Sequence, residues 1–313
     1  MAASPAEDKM GRAWSQRVRA LVRSMNSFHL PGSSKGTCST FLVDGQTVGS
    51  IPAAVVKELH GYPEVFTVYQ DSTRGPASCV ELNTKLSSYD LRSAAVHQVL
   101  EDLRSRNLFQ TLREWRDERY EVMPQFSDRT LMNMERAATP LFGVKQYGVH
   151  VNGYFWRGSE PFMWIARRSL TKPTYPGLLD NLAAGGISTG MGIKETLIKE
   201  CQEEACIPEA IAARAKPVGS VSYTYESVKG IYPECQFVYD LELPQDFVPR
   251  VGDGEVQQFY LWPMEKVKET IATTDFKPNC ALVVLDFLVR HGFIDPDQEP
   301  YYLEFVEGLH QAL

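Results

Sequence analysis

The hydrophobic and polar positions of this chain predict two successive sets of helices and strands, divided near Pro140. In the first set, alternation over residues 38–51 predicts a β-hairpin that turns at Asp44-Gly45. Pro52 is suited to open a short helix after the hairpin. Residues 63–69 then have the composition of a strand.

A longer helix is predicted after these strands, with Ser87 or Ser88 as its N-cap. Its helical spacing predicts one buried stripe, which consists of Leu91, Ala95, Val99 and Leu103. Residues 108–125 show no clear periodicity, so this stretch receives no assignment.

The second set contains five stretches with strand character, at residues 146–156, 162–167, 218–225, 236–243 and 256–262. The first of them is expected to bulge at Gly153. A helix over residues 279–291 ends before Gly292, a residue that favours the left-handed conformation after a helix. Mixed strands around one acidic helix, closed by a C-terminal helix, predict an α/β sandwich. We therefore expect an α+β domain over residues 1–140 and an α/β domain over residues 141–313.

Three carboxylates lie within one turn of the acidic helix, just after a glycine-rich turn. Glu200, Glu203 and Glu204 follow the i, i+3, i+4 spacing, which places them on one face. The opposite face is apolar and carries Leu197, Ile198, Cys201 and Ala205. Like charges this close repel one another, and a divalent cation removes the repulsion. The spacing therefore indicates either a Mg²⁺ site or the ordinary alternative, a solvated acidic surface.

Net charge, apolar run length and cysteine spacing limit the kinds of binding partner and cellular compartment to be expected. A net charge of −7 over 313 residues argues against binding to nucleic acid or to an anionic membrane surface. No apolar run reaches the roughly 18 residues of a membrane-spanning helix. The cysteines are scattered without a CxxC pair, which favours reduced thiols in a reducing compartment.

A basic amphipathic segment occupies residues 12–23. It is compatible with an organelle presequence or with the first helix of the fold. Glu7 and Asp8 precede it, and presequences avoid acidic residues, so we favour the first helix. We therefore expect a cytoplasmic protein, with organelle import through this segment as the alternative.

Other catalytic motifs fit less well. Residues 186–190 satisfy G-x-S-x-G, the nucleophile elbow of serine hydrolases, but residues 180–184 make a poor strand before it. His291 and His310 are the histidines that follow, and a serine hydrolase would leave the three glutamates unexplained. The histidines are isolated, so zinc is not expected, and no G-x-x-x-x-G-K-[ST] loop is present.

Residues 185–207 as a whole resemble the Nudix box, G-x5-E-x7-R-E-U-x-E-E-x-G-U, where U is aliphatic. Without gaps, Gly185 takes the first glycine. Glu200, Glu203 and Glu204 take the last three glutamates, so the acidic triad of the helix is also the acidic triad of the motif.

Three positions depart from this motif. Met191 stands for the first glutamate, Lys199 for the arginine and Cys206 for the last glycine. Lysine lacks the bidentate fork of arginine, and cysteine adopts a left-handed conformation less readily than glycine. Glu195 lies on the same helix and is a candidate to replace the missing acid.

Further strings narrow the resemblance to one subgroup. They are found at residues 166–169, 174–177, 179–181, 199–201, 239–244, 253–256 and 286–292. They are similar to the Nudix part of fungal thiamin pyrophosphokinases and to stand-alone plant and yeast relatives, which carry an upstream domain of uncharacterised role. The resemblance implies a Nudix α/β/α sandwich with a mixed sheet, preceded by a smaller α+β domain.

The same resemblance implies an activity. It implies a metal-dependent hydrolase that cleaves thiamin diphosphate, or its damaged and analogue forms, to a monophosphate and phosphate. Mg²⁺ is the implied cofactor, and Mn²⁺ is a substitute. Two alternatives stay open: a dinucleotide or nucleotide-sugar pyrophosphatase of the same fold, and a catalytically weak Nudix module that binds a ligand or partner. A small-molecule diphosphate is the expected ligand in each case, and a homodimer is compatible with the family.

Roles follow for individual residues. The expected metal ligands are Glu200, Glu203 and Glu204. Glu203 or Glu255 is expected to orient or deprotonate the attacking water. Phosphate oxygens are expected to contact a further set, namely Arg167, Arg168, Lys172, Gly185 and Gly186. Tyr223, Tyr225 and Tyr232 are compatible with stacking on a cationic heterocycle and equally with ordinary half-buried strand positions.

Overall fold

The computed structural model describes residues 5–69 and 79–313 and has the expected mixed α/β class. Its helices are α1 (Pro5–Met25), α2 (Ala53–Leu59), α3 (Tyr89–Ser105), α4 (Thr139–Phe142), α5 (Ile193–Ala205), α6 (Glu209–Ala212), α7 (Met264–Ile271), α8 (Pro278–Arg290) and α9 (Tyr302–Leu309). Its strands are β1 (Ser39–Val43), β2 (Gln46–Ile51), β3 (Phe66–Tyr69), β4 (Cys79–Leu82), β5 (Arg119–Val122), β6 (Met132–Glu135), β7 (Gln146–Arg157), β8 (Glu160–Arg168), β9 (Leu179–Asp180), β10 (Ala183–Gly186), β11 (Lys216–Ser227), β12 (Gly230–Glu242) and β13 (Val256–Pro263). None of these helices combines the length and the hydropathy that crossing a lipid bilayer requires.

The first sheet has the strand order β2-β1-β4-β3, with β1 and β4 parallel and the other pairs antiparallel. The predicted hairpin is confirmed: Asp44 and Gly45 have φ angles of 56° and 70°, as a tight two-residue hairpin turn requires. One apolar core joins this sheet to α2 and α3 and also includes Met132 and Phe142. The smaller α+β unit expected before residue 140 therefore has a core of its own.

Helix α3 differs from its predicted register. Its cap is confirmed, because Ser88 Oγ accepts a hydrogen bond from the Leu91 N–H at 3.2 Å. Leu91 itself is 51% exposed, so its predicted burial is wrong. Arg92 and Ser93 point inward instead: Arg92 Nε donates to the Leu86 carbonyl at 2.9 Å, and Ser93 Oγ accepts from the Asn133 N–H at 3.0 Å. Two polar side chains with buried partners thus set the phase of the first turn.

The larger sheet runs β11-β12-β7-β8-β13, with β10 also beside β7 and β9 beside β8. β12 and β7 are parallel and the other pairs are antiparallel, so the sheet is mixed. The bulge predicted at Gly153 is wrong, because Gly153 pairs in regular register with Trp164 and Leu241. A Cβ at this position would lie 2.1 Å from Leu182 Cδ2, so glycine here makes room for a core leucine.

Alternation along β7 divides the layers. Val149 and Val151 share a core with Leu197 and Cys201 of α5. The intervening His150 points to the opposite face, where α8 lies. The sheet therefore has α5 on one face and α8 on the other, which is the predicted α/β/α sandwich.

Helix α1 packs into the core on the α8 side. Val18, Val22 and Met25 share a cluster with the apolar residues of α8 and with Phe305 of α9. This part of the basic N-terminal segment is a helix of the fold, as favoured above. The domain boundary near residue 140 stays a prediction, and α1 contacts the second unit although it precedes the boundary.

Candidate active site

The acidic helix α5 is fixed at both ends. At its start, Glu195 Oε2 accepts a hydrogen bond from the Gly192 N–H at 3.2 Å. At its end, Cys206 adopts the left-handed conformation with φ 52° and ψ 35°. The Ile207 N–H then donates to the Cys201 carbonyl at 3.0 Å, which closes the last turn. Glu195 therefore acts as an N-terminal cap, and the cysteine departure from the motif does not prevent the expected helix end.

The three glutamates of the acidic triad differ in burial. Glu204 is buried, and its Oε2 accepts a hydrogen bond from the Ala184 N–H of β10 at 3.0 Å. The Glu200 side chain is 14% exposed, and that of Glu203 is 49% exposed. Glu200 lies directly against β10, because a Cβ at Gly185 would be 2.2 Å from Glu200 Cδ. The first glycine of the motif thus makes room for its second glutamate.

The charge balance at α5 is incomplete. Lys199 Nζ lies 3.2 Å from Glu200 Oε1 and 2.9 Å from Glu203 Oε2. Among the described residues, no lysine, arginine or histidine forms an ion pair with Glu204. Burial raises the pKa of Glu204 well above its usual range, and the nearby Asp180 acts in the same direction. Burial also raises the pKa of Glu200, although Lys199 opposes this shift.

A buried carboxylate with a single hydrogen-bond donor and no direct ion pair among the described residues suits a hard divalent cation. Glu204, together with Glu200 one turn earlier, provides such oxygens beside a strand of small residues. These residues therefore fit the metal ion that the acidic triad predicts.

The loop over residues 250–255 docks on the last turn of α5. The Asp253 N–H donates to the Glu203 carbonyl at 2.9 Å, and the Arg250 N–H donates to the Ala205 carbonyl at 3.1 Å. A Cβ at Gly252 would lie 1.9 Å from the Glu203 carbonyl oxygen, so this approach requires glycine. The loop leads directly to Glu255, which forms an ion pair with Lys172. Gly252 was missed from sequence, although the Gly-Asp-Gly run at residues 252–254 was a usable signal.

The two predicted phosphate-binding arginines have protein partners. Arg168 is buried and donates to Asp180 Oδ2 at 2.7 Å, to the Tyr175 carbonyl at 3.1 Å and to the Thr174 carbonyl at 2.9 Å. Arg167 forms a bidentate pair with Asp275 at 2.7 and 3.0 Å. Arg167 also donates to the Gly177 carbonyl at 2.9 Å, so both guanidinium groups hold the loop over residues 169–177 in place.

Gly186 meets the first unit. A Cβ at Gly186 would lie 1.8 Å from Tyr120 Oη, so β5 closes over this end of β10. Ser188 Oγ donates to Glu118 Oε1 at 2.7 Å, and no histidine of the described residues is hydrogen-bonded to Ser188. The contact with Glu118 gives Ser188 a structural role and no sign of a nucleophile elbow. Met191, which replaces the first glutamate of the motif, lines a mostly apolar cleft nearby.

A second polar cluster lies between the larger sheet and α8, on the face opposite the acidic helix. Ligand atoms of His150, Asp180 and Cys280 lie within 4.8 Å of one another, a spacing compatible with a metal ion. Burial alone would raise the pKa of Asp180, but Lys277 and Arg168 hold it well below its usual range. Burial raises the pKa of the Cys280 thiol, and this thiol donates to Asp180 Oδ1 at 2.7 Å. Two cations already neutralise the carboxylate, so the cluster is a satisfied polar core and a poor place for a further cation.

A cavity of about 480 Å³ adjoins the site on the α8 side of the sheet. Its aromatic lining consists of Tyr175, Tyr223, Tyr225 and Tyr232. Glu234 is half-buried in its wall, where its Oε2 accepts hydrogen bonds from Tyr223 Oη at 2.7 Å and Gln236 Nε2 at 2.9 Å. Burial raises the pKa of Glu234. Sequence reasoning overlooked Glu234, which is one of several polar residues of β12.

The cavity and the acidic helix share one loop. Lys172 pairs with Glu255, and the electrostatic effect of Glu255 reaches Glu200. The three residues after Lys172, at positions 173–175, line the cavity. A ligand in the cavity therefore lies beside the loop that leads to the carboxylates.

Comparisons with known proteins agree with this arrangement. A family model described as a domain of unknown function (DUF4743) matches residues 17–146. The chain is 42% identical over 279 residues to Nudix hydrolase 20, chloroplastic, of Arabidopsis thaliana, and the match covers 86% of this chain and 72% of that protein. It is 34% identical over 284 residues to an uncharacterised protein of Saccharomyces cerevisiae, covering 86% of this chain and 82% of the relative. Among solved structures, DR0079 from Deinococcus radiodurans matches with a TM-score of 0.41 and 20% identity, over 54% of this chain and 98% of that one.

Proposed function

Because the chain belongs to the Nudix hydrolases, which act on phosphoanhydride bonds, we propose that its substrates are diphosphates that carry a cationic heteroaromatic ring, such as thiamin diphosphate and its damaged analogues. In the reaction, the oxygen of water bonds to phosphorus and the bridging P–O bond breaks. The products are the monophosphate and inorganic phosphate.

The observation that carries this proposal is the tyrosine-lined cavity with a half-buried carboxylate. The faces of aromatic rings attract cations, so the four tyrosines favour a cationic ring. Glu234 adds a negative charge to the same space, with Lys277 and Arg136 as its electrostatic neighbours. The cavity volume of about 480 Å³ lies within the usual range for small-molecule sites.

The carboxylates of α5 have distinct roles in this proposal. Glu200, Glu203 and Glu204 would hold Mg²⁺, or Mn²⁺ in its place. A bound cation would neutralise diphosphate charge and make the phosphorus more susceptible to attack. Glu203 or Glu255 orients or deprotonates the attacking water, and ion pairs with Lys199 and Lys172 keep these two carboxylates in position.

The remaining predicted residues position the substrate. Lys172 faces the site through Glu255 and is suited to contact a phosphate oxygen. The contacts of Arg167 and Arg168 support a positioning role, through the loop over residues 169–177, in place of the direct phosphate contact predicted from sequence. Gly185 and Gly186 allow Glu200 and Tyr120 to approach β10, which leaves backbone atoms as their contribution to phosphate binding.

Phosphate release with Mg²⁺ across thiamin diphosphate, ADP-ribose, NADH and FAD tests the proposal. We expect kcat/KM for thiamin diphosphate to exceed the others at least about tenfold, a difference of about 1.4 kcal/mol. Glu204→Gln and Glu203→Gln should each lower kcat by about 10²-fold or more, since each removes a charged group that acts in the transition state. Glu209→Gln, an exposed glutamate just beyond α5, is the matched control and should leave activity unchanged.

Two outcomes would contradict the proposal. A preference for ADP-ribose or NADH would support the dinucleotide alternative. Tight binding of a diphosphate without phosphate release, with Mg²⁺ and with Mn²⁺, would support the weak binding module. The cytoplasmic location and the homodimer stay predictions, and the Arabidopsis relative is named as a chloroplastic protein.

A further inference from the structure

The cavity beside the acidic helix has two walls from different parts of the chain. One wall belongs to the larger sheet and carries the tyrosines and Glu234. The other belongs to the first unit and consists of Met25, Thr111, Glu114, Arg116, Arg136, Ala137 and Pro140. The region matched by the family model of unknown function therefore forms one side of the cavity.

The wall from the first unit is tied to the glycine turn before α5. The Thr189 N–H donates to the Arg119 carbonyl at 2.9 Å, and Ser188 Oγ donates to Glu118 at 2.7 Å. The Arg116 N–H donates to Glu135 Oε1 at 3.0 Å, and Glu135 is buried. Hydrogen bonds thus fix the backbone around Arg116 both to the first unit and to the glycine turn before α5.

Arg116 differs from the other cations of the cavity in its partners. Lys229 pairs with Glu114, Arg136 pairs with Glu118 at 2.7 Å, and Lys277 lies 3.7 Å from Asp180. Within residues 11–69 and 79–313, the Arg116 guanidinium has no hydrogen bond and no ion pair. It is half-buried, and burial lowers its pKa, as does the neighbouring charge of Arg136. Glu114 and Glu118 act on it electrostatically, but neither pairs with it directly, so its donors are available to an anion in the cavity.

Arg116 is also near the end of β10, the strand against which Glu200 packs. Its electrostatic neighbours include Tyr120, whose hydroxyl lies against Gly186. Gly186 follows Gly185, the residue against which the Glu200 carboxylate packs. An anionic group near Arg116 therefore lies beside the end of β10, across this strand from Glu200.

Resting on the function proposed above, we propose that Arg116 binds a phosphate oxygen of the diphosphate substrate and that the first unit is thereby a component of the substrate site. The unit would then serve substrate recognition, and the second unit alone would hold an incomplete site. Arginine suits this task because its fixed fork of donors matches the geometry of phosphate oxygens.

Binding of inorganic pyrophosphate in the presence of Ca²⁺, measured by titration calorimetry on the full chain, tests the inference without turnover. Arg116→Ala should weaken binding about 10- to 100-fold, the usual contribution of a hydrogen bond to a charged group. Arg129→Ala removes an exposed arginine of the same unit that does not line the cavity, and it should bind within about twofold of the unchanged chain. Arg116→Gln, with nearly the same stem, should reproduce the loss if the alanine variant does not fold.

Comparing thiamin diphosphate with thiamin distinguishes the loss of a phosphate contact from a general distortion of the cavity. Arg116→Ala should weaken binding of thiamin diphosphate and leave binding of thiamin, which has no phosphate, unchanged. Equal losses for both ligands, unchanged pyrophosphate binding, or no pyrophosphate binding by the unchanged chain would overturn the inference. A failure of the proposed function would give a different result. Thiamin diphosphate would not be hydrolysed, whereas pyrophosphate binding would still depend on Arg116.

Discussion

At the scale of single residues, the left-handed Cys206 carries a cost. An L-residue in this conformation loses roughly 1 kcal/mol relative to glycine. We expect Cys206→Gly to raise the free energy of unfolding by about 0.5–1 kcal/mol, since glycine relieves the strain but gains freedom in the unfolded chain. Urea denaturation measures this change. Cys206→Ala is the control, because alanine keeps the strained backbone and should give no gain; an equal gain from alanine would contradict the explanation.

His150 predicts a pH dependence of stability. Burial lowers its pKa to about 4, and the charge of Lys277 acts in the same direction. Below about pH 6.5 the unfolded chain binds a proton at this histidine while the folded chain does not, so the folded state loses stability as pH falls from 6.5 towards 4. The loss is about 1.4 kcal/mol per pH unit.

The matched variant is His150→Gln, which keeps a hydrogen-bond donor for Asn181. Its free energy of unfolding at pH 5 should fall less from the pH 7 value than that of the unchanged chain, by about 2 kcal/mol. Urea titrations at both pH values measure the difference. Parallel pH profiles for the two proteins would show that His150 is not the responsible group.

At the scale of elements, α1 and α9 cross at a glycine. A Cβ at Gly308 would lie 2.1 Å from Val22 Cγ1, and valine is stiff at this position. Alanine normally stabilises a helix relative to glycine by about 1 kcal/mol. Here we expect Gly308→Ala to destabilise the protein by about 1–3 kcal/mol, because the added methyl overpacks the crossing.

A double substitution checks this explanation. Val22→Ala leaves space at the crossing, so Gly308→Ala should cost less in its presence than alone, as a double-mutant cycle of unfolding free energies would show. If Gly308→Ala stabilises the protein by itself, α1 does not pack on α9 as described.

Elements with clear periodicity were predictable, and those held by distant partners were not. The hairpin at residues 38–51, β7 and α8 follow from local pattern and turn chemistry. Residues 108–125 contain a 3₁₀ segment (Gln110–Glu114) and β5, and β5 is stabilised by pairing with β6. α9 was not predicted at all. Such short elements depend on packing that only the folded chain provides.

At the scale of the whole molecule, the acidic triad was predictable because it is local, whereas its surroundings were not. Glu200 and Glu204 share one helix, so their spacing alone places them together. The partner of Arg167 is Asp275, 108 positions away, so its pairing was invisible to local pattern. The cavity wall from residues 111–140 could not be predicted for the same reason. It depends on the contact between the two units, and no motif in either unit encodes that contact.

The fastening of the loop over residues 169–177 has a kinetic consequence. Arg168 grips it from the inside through two of its carbonyls, and Arg167 grips it through the Gly177 carbonyl at 2.9 Å. We expect this loop to stay in place during ligand entry and not to open and close. Moving it outward would break the hydrogen bonds of Arg168 and leave a buried guanidinium without acceptors. The shape of a preformed opening would then select the ligands, and no loop movement would limit the turnover rate.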